Sequence, residues 1–241
     1  MTLTKGRLRL REWPSALNRR CRRRLWKKHK KTVGLQYRCE VSAQATGELE
    51  SDTGWVDAHS TCEQFIQILR VHAAQTSDTA VVDTGGADGN TKGVGTSRTV
   101  AVDTDSFAID AGAGVVTHGP VCGTGTTSVT QTDEKLNTLI VEGTSSGQMQ
   151  HQATSISVAT SHLAEARVSC TRIILNNSGG TIAVAEVGLY IEGSDNSTAF
   201  YFLAARELSS NSVANGSQLT LSWKFYSSDI LTLAFFQLLY V

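Results

Sequence analysis

The sequence predicts a mainly-β fold: an antiparallel β-sandwich or jelly-roll-like body with one short helix, at about residues 61–74, and a basic N-terminal arm. Three observations carry that prediction. Beyond Arg98, short alternating apolar segments recur at intervals of about 10–15 residues, separated by Gly, Asn and Ser, which is the rhythm of strands and turns in a sandwich. The chain has 21 Gly but only 2 Pro, and its abundant Thr, Ser and Val suit pleated strands better than helices. Its 241 residues are enough for one large domain with extensions.

The charge is zero only on average. There are 22 Lys/Arg and 22 Asp/Glu in all, yet Met1–Arg38 holds 14 basic residues against one acid, Glu12. The remainder therefore carries 8 basic and 21 acidic residues. A basic arm on an acidic body points first to an anionic partner for the arm, either the body of another copy or a nucleic acid, the third reading being a solvated tail.

Three regions follow in order. Residues 1–32 are the arm: "PSALNRRCRRRLWKKHKK" offers a thin stripe of Leu17, Cys21 and Leu25, too narrow to fold alone at this charge density. Its contact residues are Arg19, Arg20, Arg22, Arg23, Arg24, Lys27, Lys28, Lys30 and Lys31, whose positive charge would neutralise phosphates or clamp an acidic subunit. Residues 33–97 contain a strand with Leu35, Tyr37, Cys39 and Val41 on one face, a turn at "ATGE" and a weaker strand in "LESDTGWVDAH". The helix follows, capped by Ser60 or Thr61, with Phe65, Ile66 and Leu69 on its apolar face and a glycine-rich loop after it. Residues 98–241 supply the sandwich strands: "RTVAVD", "GVVTHGPVCG", "TSVTQT", "KLNTLIVEG", "QMQHQATSISVA", "EARVSCTRIIL", "TIAVAEVGLYI", "FYFLAAREL" and "SQLTLSWKFY". They end in the apolar run "ILTLAFFQLLYV". Leu231, Leu233, Phe235, Phe236, Leu238 and Leu239 in that run would be an aggregation hazard if exposed, so they are expected to pack in the core or under a neighbour. The run is also shorter than the roughly 20 residues that span a bilayer, and no apolar stretch follows the N-terminal charges, so neither a membrane partner nor a signal peptide is expected.

Catalytic and metal motifs do not develop. "GTSSG", Gly143–Gly147, matches the nucleophile-elbow pattern with Ser145 as nucleophile, but that chemistry needs a helix after the turn, and the residues that follow alternate as a strand. Lys92 in the glycine loop is followed by Gly, not Ser or Thr, so there is no phosphate-binding loop. Asp83, Asp88, Asp103 and Asp105 lack EF-hand spacing, and His59 with Cys62 is two ligands only. The 5 Cys include no CxxC pair, which predicts mostly buried free thiols and a reducing site of synthesis. No enzyme activity, cofactor, metal or small-molecule substrate is expected.

The stretch "TRIILNNSGGTIAVAEVGLYIEG", Thr171–Gly193, is the most informative. Asn176 to Gly180 tolerate positive φ, so a hairpin is expected to close there. Ile182 and Val184 share one face by alternation, and Val187, Leu189 and Ile191 the other. The phase slip at Ala185–Glu186 predicts a bulge, or a corner where the strand passes between sheets. Glu186 then falls on the face of Val184, paired to a backbone amide or to Arg172 or Arg206.

Together with "FYFLAARE" and "NGSQLTLSWKF", this stretch resembles β-sandwich structural proteins of tailed-bacteriophage virions, of the tail-fibre or capsid-associated type, over about residues 171–226. The resemblance implies a non-enzymatic particle component (capsid, decoration, neck or tail), located in the virion and assembled in the host cytoplasm. Its implied partners are copies of itself and other virion proteins. Two alternatives are a receptor-binding module acting through loops 85–95, 143–147 and 193–198, and a lumen protein contacting nucleic acid through the arm.

Overall fold

The computed structural model describes residues 33–67, 83–85, 108–157, 166–195 and 198–227. The chain divides into two units between Thr32 and Val33. The arm and its basic residues, and the C-terminal residues 228–241 with Leu231, Leu233, Phe235, Phe236, Leu238 and Leu239, lie outside the described residues. From Val33 onward the chain is one unit, to whose larger sheet the 33–97 segment contributes three strands.

Among the described residues, ten strands form two antiparallel sheets. They are β1 (Val33–Ala43), β2 (Leu49–Asp52), β3 (Val56–Asp57), β4 (Gly119–Gly123), β5 (Gln150–His151), β6 (Ser155–Ser157), β7 (Ala166–Leu175), β8 (Ile182–Asp195), β9 (Thr198–Val213) and β10 (Ser217–Ser227). The larger sheet runs β2-β1-β10-β7-β5, with β3 on β1 and β6 on β7; the smaller runs β4-β8-β9. Residues 63–67 are helical, inside the expected helix, and Thr61 instead bridges to Ala205 of β9.

Period-2 alternation places the core. On β1, Tyr37, Cys39 and Val41 stand opposite Trp223, Leu221 and Leu219 of β10, so all six point the same way, as side chains paired across an antiparallel ladder must. With Cys170 and Ile174 they form one wall of a core whose other wall is Ile182, Val184, Val187, Leu189 and Ile191 of β8 with Ala205 and Val213 of β9. This is a sandwich of two facing sheets.

Three expectations are corrected. The turn after β7 is not a hairpin: β7 pairs with β10, β5 and β6, whereas β8 pairs with β4 and β9. Residues 176–181 therefore carry the chain from one sheet to the other, with Gly179 at φ 84°. Buried Asn176 holds this crossover, its Nδ2 donating to Gly180 O at 2.8 Å and to Val213 O at 2.7 Å. Secondly, "TSVTQT" and "KLNTLIVEG" are not strands but parts of a long loop between β4 and β5, with Gly123 bridged to Leu139. Thirdly, of the bulge or corner expected in β8 it is the bulge that is found, and the two apolar sets placed on opposite faces share one face. The register of β8 against β9 shifts between Val184 and Glu186, and the shift brings Val187, Leu189 and Ile191 into the same core as Ile182 and Val184. Glu186 is thereby turned to the face opposite Val184.

The two ends of the sandwich differ. Val33 stands opposite Ser227, and Ser227 opposite Ala166, so β1 and β7 begin where β10 ends. The other end is made of turns tied to one another. Gln44 N donates to Gly216 O at 2.9 Å, Asn176 N to Ser217 O at 2.9 Å, and Gly179 N to Asn215 Oδ1 at 2.8 Å.

Candidate functional site

The outer face of the small sheet is covered by the β4–β5 loop, and Glu186 is why the loop stays there. Its buried carboxylate accepts from three loop amides: Gly125 N at 3.1 Å and Thr138 N at 2.7 Å on Oε1, and Asn137 N at 3.1 Å on Oε2. Oε2 also accepts Arg206 Nε at 2.7 Å. Of the partners weighed from sequence it therefore meets backbone amides and, of the two arginines, Arg206: Gly188, two residues on, faces Arg206 across the β8–β9 ladder. Arg206 then reaches Asp133 Oδ2 through Nη1 at 2.8 Å and Thr127 O and Oγ1 through Nη2 at 3.1 and 3.0 Å. Burial works against the Arg206 cation, but Asp133 and Glu186 more than offset it and hold its pKa above the ordinary value. A second small core, of Cys62, Val121, Leu136, Tyr190 and Leu203, lies under the same loop, and Tyr190 Oη accepts Leu136 N at 2.7 Å.

Close approach at this site requires glycine. A Cβ on Gly123 would stand 2.5 Å from Thr138 O and 2.6 Å from Glu186 Oε1. Gly125 is hemmed in by the same carboxylate and by Asn137.

A second buried cation, Arg172, sits at the inward position of β7 between Cys170 and Ile174. It serves loops as well, donating to backbone carbonyls only: Gln152 O at 2.7 Å, Gly112 O at 3.0 Å, Pro120 O at 3.3 Å, His118 O at 3.5 Å and Val115 O at 2.5 Å. Burial lowers its pKa. Beside it, His151 is buried with Nδ1 3.2 Å from Glu142 Oε2 and 3.1 Å from Met149 O, and its Nε2 has no hydrogen-bond partner. Burial, then the Arg172 charge, brings the His151 pKa down to about 4 against the support of Glu142, so the ring is neutral at pH 7. Sequence reasoning weighed Arg172 only as a partner for Glu186. The signal for its own role was a charged residue at an inward-facing position of a core strand.

Ser145 lies in an exposed turn with Gly147 at φ 80°. Its amide donates to Gln148 Oε1 at 3.1 Å, and the chain continues into β5 without the helix an elbow needs. Cys39, Cys62, Cys122 and Cys170 are free and buried; burial raises their pKa values to about 11 for Cys39 and about 12 for the other three. At the other candidate pair, the His59 amide donates to Glu207 Oε1, as does Ser60 N at 2.8 Å, and Cys62 is buried. Among the described residues, no group of three His, Cys, Asp or Glu is placed to hold a metal ion, and no helix is long and apolar enough to cross a membrane.

Among the described residues, a slot in the surface lies beside the start of β8. β4 pairs with Glu186–Tyr190 only, then Thr124 N turns away to Thr138 O at 2.9 Å. Residues 182–185 of β8 thus have β9 on one side and no described strand on the other. The space is bordered by Thr124, Thr126, Ser146, Gly147, Ser178 and Gly180, with Ala183 and Ala185 along its floor. No family model matches the chain, and no curated protein or solved structure is found to be similar to it.

Proposed function

We propose that this chain is a non-enzymatic structural component of a bacteriophage or phage-like particle, self-assembling through its sandwich and its flanking segments. The observation that carries this reading is the pairing of Val33 with Ser227. It places the first and last described residues of the body, to which the basic arm and the apolar C-terminal segment are joined in sequence, side by side at one end, while the opposite end is closed by interlocked turns. Such a polar body is suited to bonding with identical neighbours, the arm reaching the acidic surface of the next copy. The buried charges support a structural role, since Glu186, Arg206 and Arg172 all hold loops in place. Within that reading the particle part is capsid, decoration, neck or tail.

The test is negative-stain imaging and sedimentation of the full chain beside a variant lacking residues 1–32. Rings, tubes or shells are expected from the full chain, and loss or marked weakening of assembly from the variant, whose β-rich circular dichroism spectrum should be retained. Wild-type-like particles from the truncated protein would overturn the role of the arm. A second reading rests on the arm's charge alone: nucleic acid as its partner, which requires DNA affinity that falls steeply with salt.

A further inference from the structure

We propose that the slot beside Ala183 and Ala185 receives residues 228–241 of a second copy as an added strand, joining copies head to tail. This rests on the assembly reading above and names its bond.

The slot has the properties of a strand acceptor. A β-edge presents unpaired amides and carbonyls, which an extended segment satisfies by strand addition. Further along β8, this side is taken by β4 at Glu186–Tyr190 and by the bridge of Ala108 to Glu192. The open length begins where β4 peels away, because its continuation is captured by Glu186 and Thr138. The walls are small and hydroxylated, leaving room for a backbone and donors to meet it.

The occupant follows from geometry and pattern. β10 ends at Ser227, at the end of the sandwich away from the slot, and at about 3.3 Å per residue its own length separates the two by roughly 33 Å. Residues 228–241, "SDILTLAFFQLLYV", would have to double back over their own body to reach it. In a neighbour stacked on the turn end they meet the slot directly. Their alternation fits: Leu231, Leu233 and Phe235 would continue the inward row of Ile182 and Val184, and Thr232 and Ala234 would lie beside Ala183 and Ala185. Such an interface is heterologous, so it propagates into a ring or a filament.

The test uses two variants of the full chain, analysed by sedimentation velocity. Ala183→Arg fills the slot at an exposed position, and Leu233→Asp spoils the segment. Each alone is expected to weaken self-association at least tenfold, and an equimolar mixture, in which one variant keeps the slot and the other the segment, is expected to give a 1:1 dimer that grows no further. A mixture that stays monomeric, or variants that associate as tightly as wild type, would overturn the proposal. In the latter case assembly itself stands and only its bond is wrong; a monomeric wild type would overturn both.

Discussion

Arg206 Nε donates to Glu186 Oε2 at 2.7 Å inside the protein, and this pair joins β8 and β9 to the loop that covers them. Removing one member of a buried pair leaves the other charge without compensation, which costs about 3–5 kcal/mol. Arg206→Leu is therefore expected to lower the unfolding free energy by about that amount in urea titrations. Arg206→Lys should recover little, because one ammonium cannot reach Glu186, Asp133 and Thr127 in the fork geometry. Removing both charges should not restore stability, since Gly125, Asn137 and Thr138 would lose their acceptor.

Gly123→Ala tests the same site without touching a charge. Its Cβ would press on a backbone oxygen and a buried carboxylate, neither of which can move freely, so a loss of about 1–3 kcal/mol is expected. Gly47→Ala is the control: a Cβ there meets nothing within 4 Å although φ is 70°, so only the smaller backbone cost of about 1 kcal/mol applies.

Arg172 binds five carbonyls and no carboxylate. Arg172→Met should loosen residues 112–120 and the Gln152 turn, seen as faster amide hydrogen exchange there and a lower Tm. Arg172→Lys should behave nearly as badly, having three donors on a point charge in place of five in a plane. If the lysine variant exchanged like wild type, the carbonyl cage would not be what holds this region.

Several strands were legible because alternation survives wherever one face is buried: Tyr37, Cys39 and Val41 announce their strand, and Leu219, Leu221 and Trp223 theirs. What failed did so because bonds to residues distant in sequence overrode the local pattern. Asn176–Gly180 satisfies the requirements of a hairpin, and nothing in the residues themselves shows that Asn176 bonds across to Val213 and Ser217 instead. "KLNTLIVEG" has strand composition, but its backbone is engaged by Glu186 and Cys122, far away in sequence. The bulge at Ala185–Glu186 was visible as a phase slip; the face on which Glu186 ends up was not, because that depends on the bulge geometry.

The buried thiols give a chemical check. With pKa values of about 11 for Cys39 and about 12 for Cys62, Cys122 and Cys170, hardly any thiolate exists at pH 8, and none of these sulfurs is accessible. In a Cys21→Ser background, Ellman's reagent is expected to label no thiol in the native protein and four on unfolding. Rapid labelling of any of the four under native conditions would mean that the sandwich opens locally.

His151 sets the response to acid. Its pKa is about 4 in the fold and about 6.5 in the unfolded chain. Between those values the unfolded chain binds the proton and the folded one does not, so stability is full above pH 6.5 and declines as the pH falls toward 4. The loss attributable to this residue is on the order of 3 kcal/mol, since each unit of difference is worth about 1.4 kcal/mol. The groups facing the ring are the Arg172 guanidinium, which disfavours a second cation, and Glu142, which favours it. His151→Gln is expected to flatten the dependence of unfolding free energy on pH between 4 and 6.5, whatever it does to stability at pH 7. An unchanged slope in that variant would assign the acid response to other groups. Glu142→Gln, by removing the one supporting carboxylate, should lower the His151 pKa further and extend the decline to lower pH.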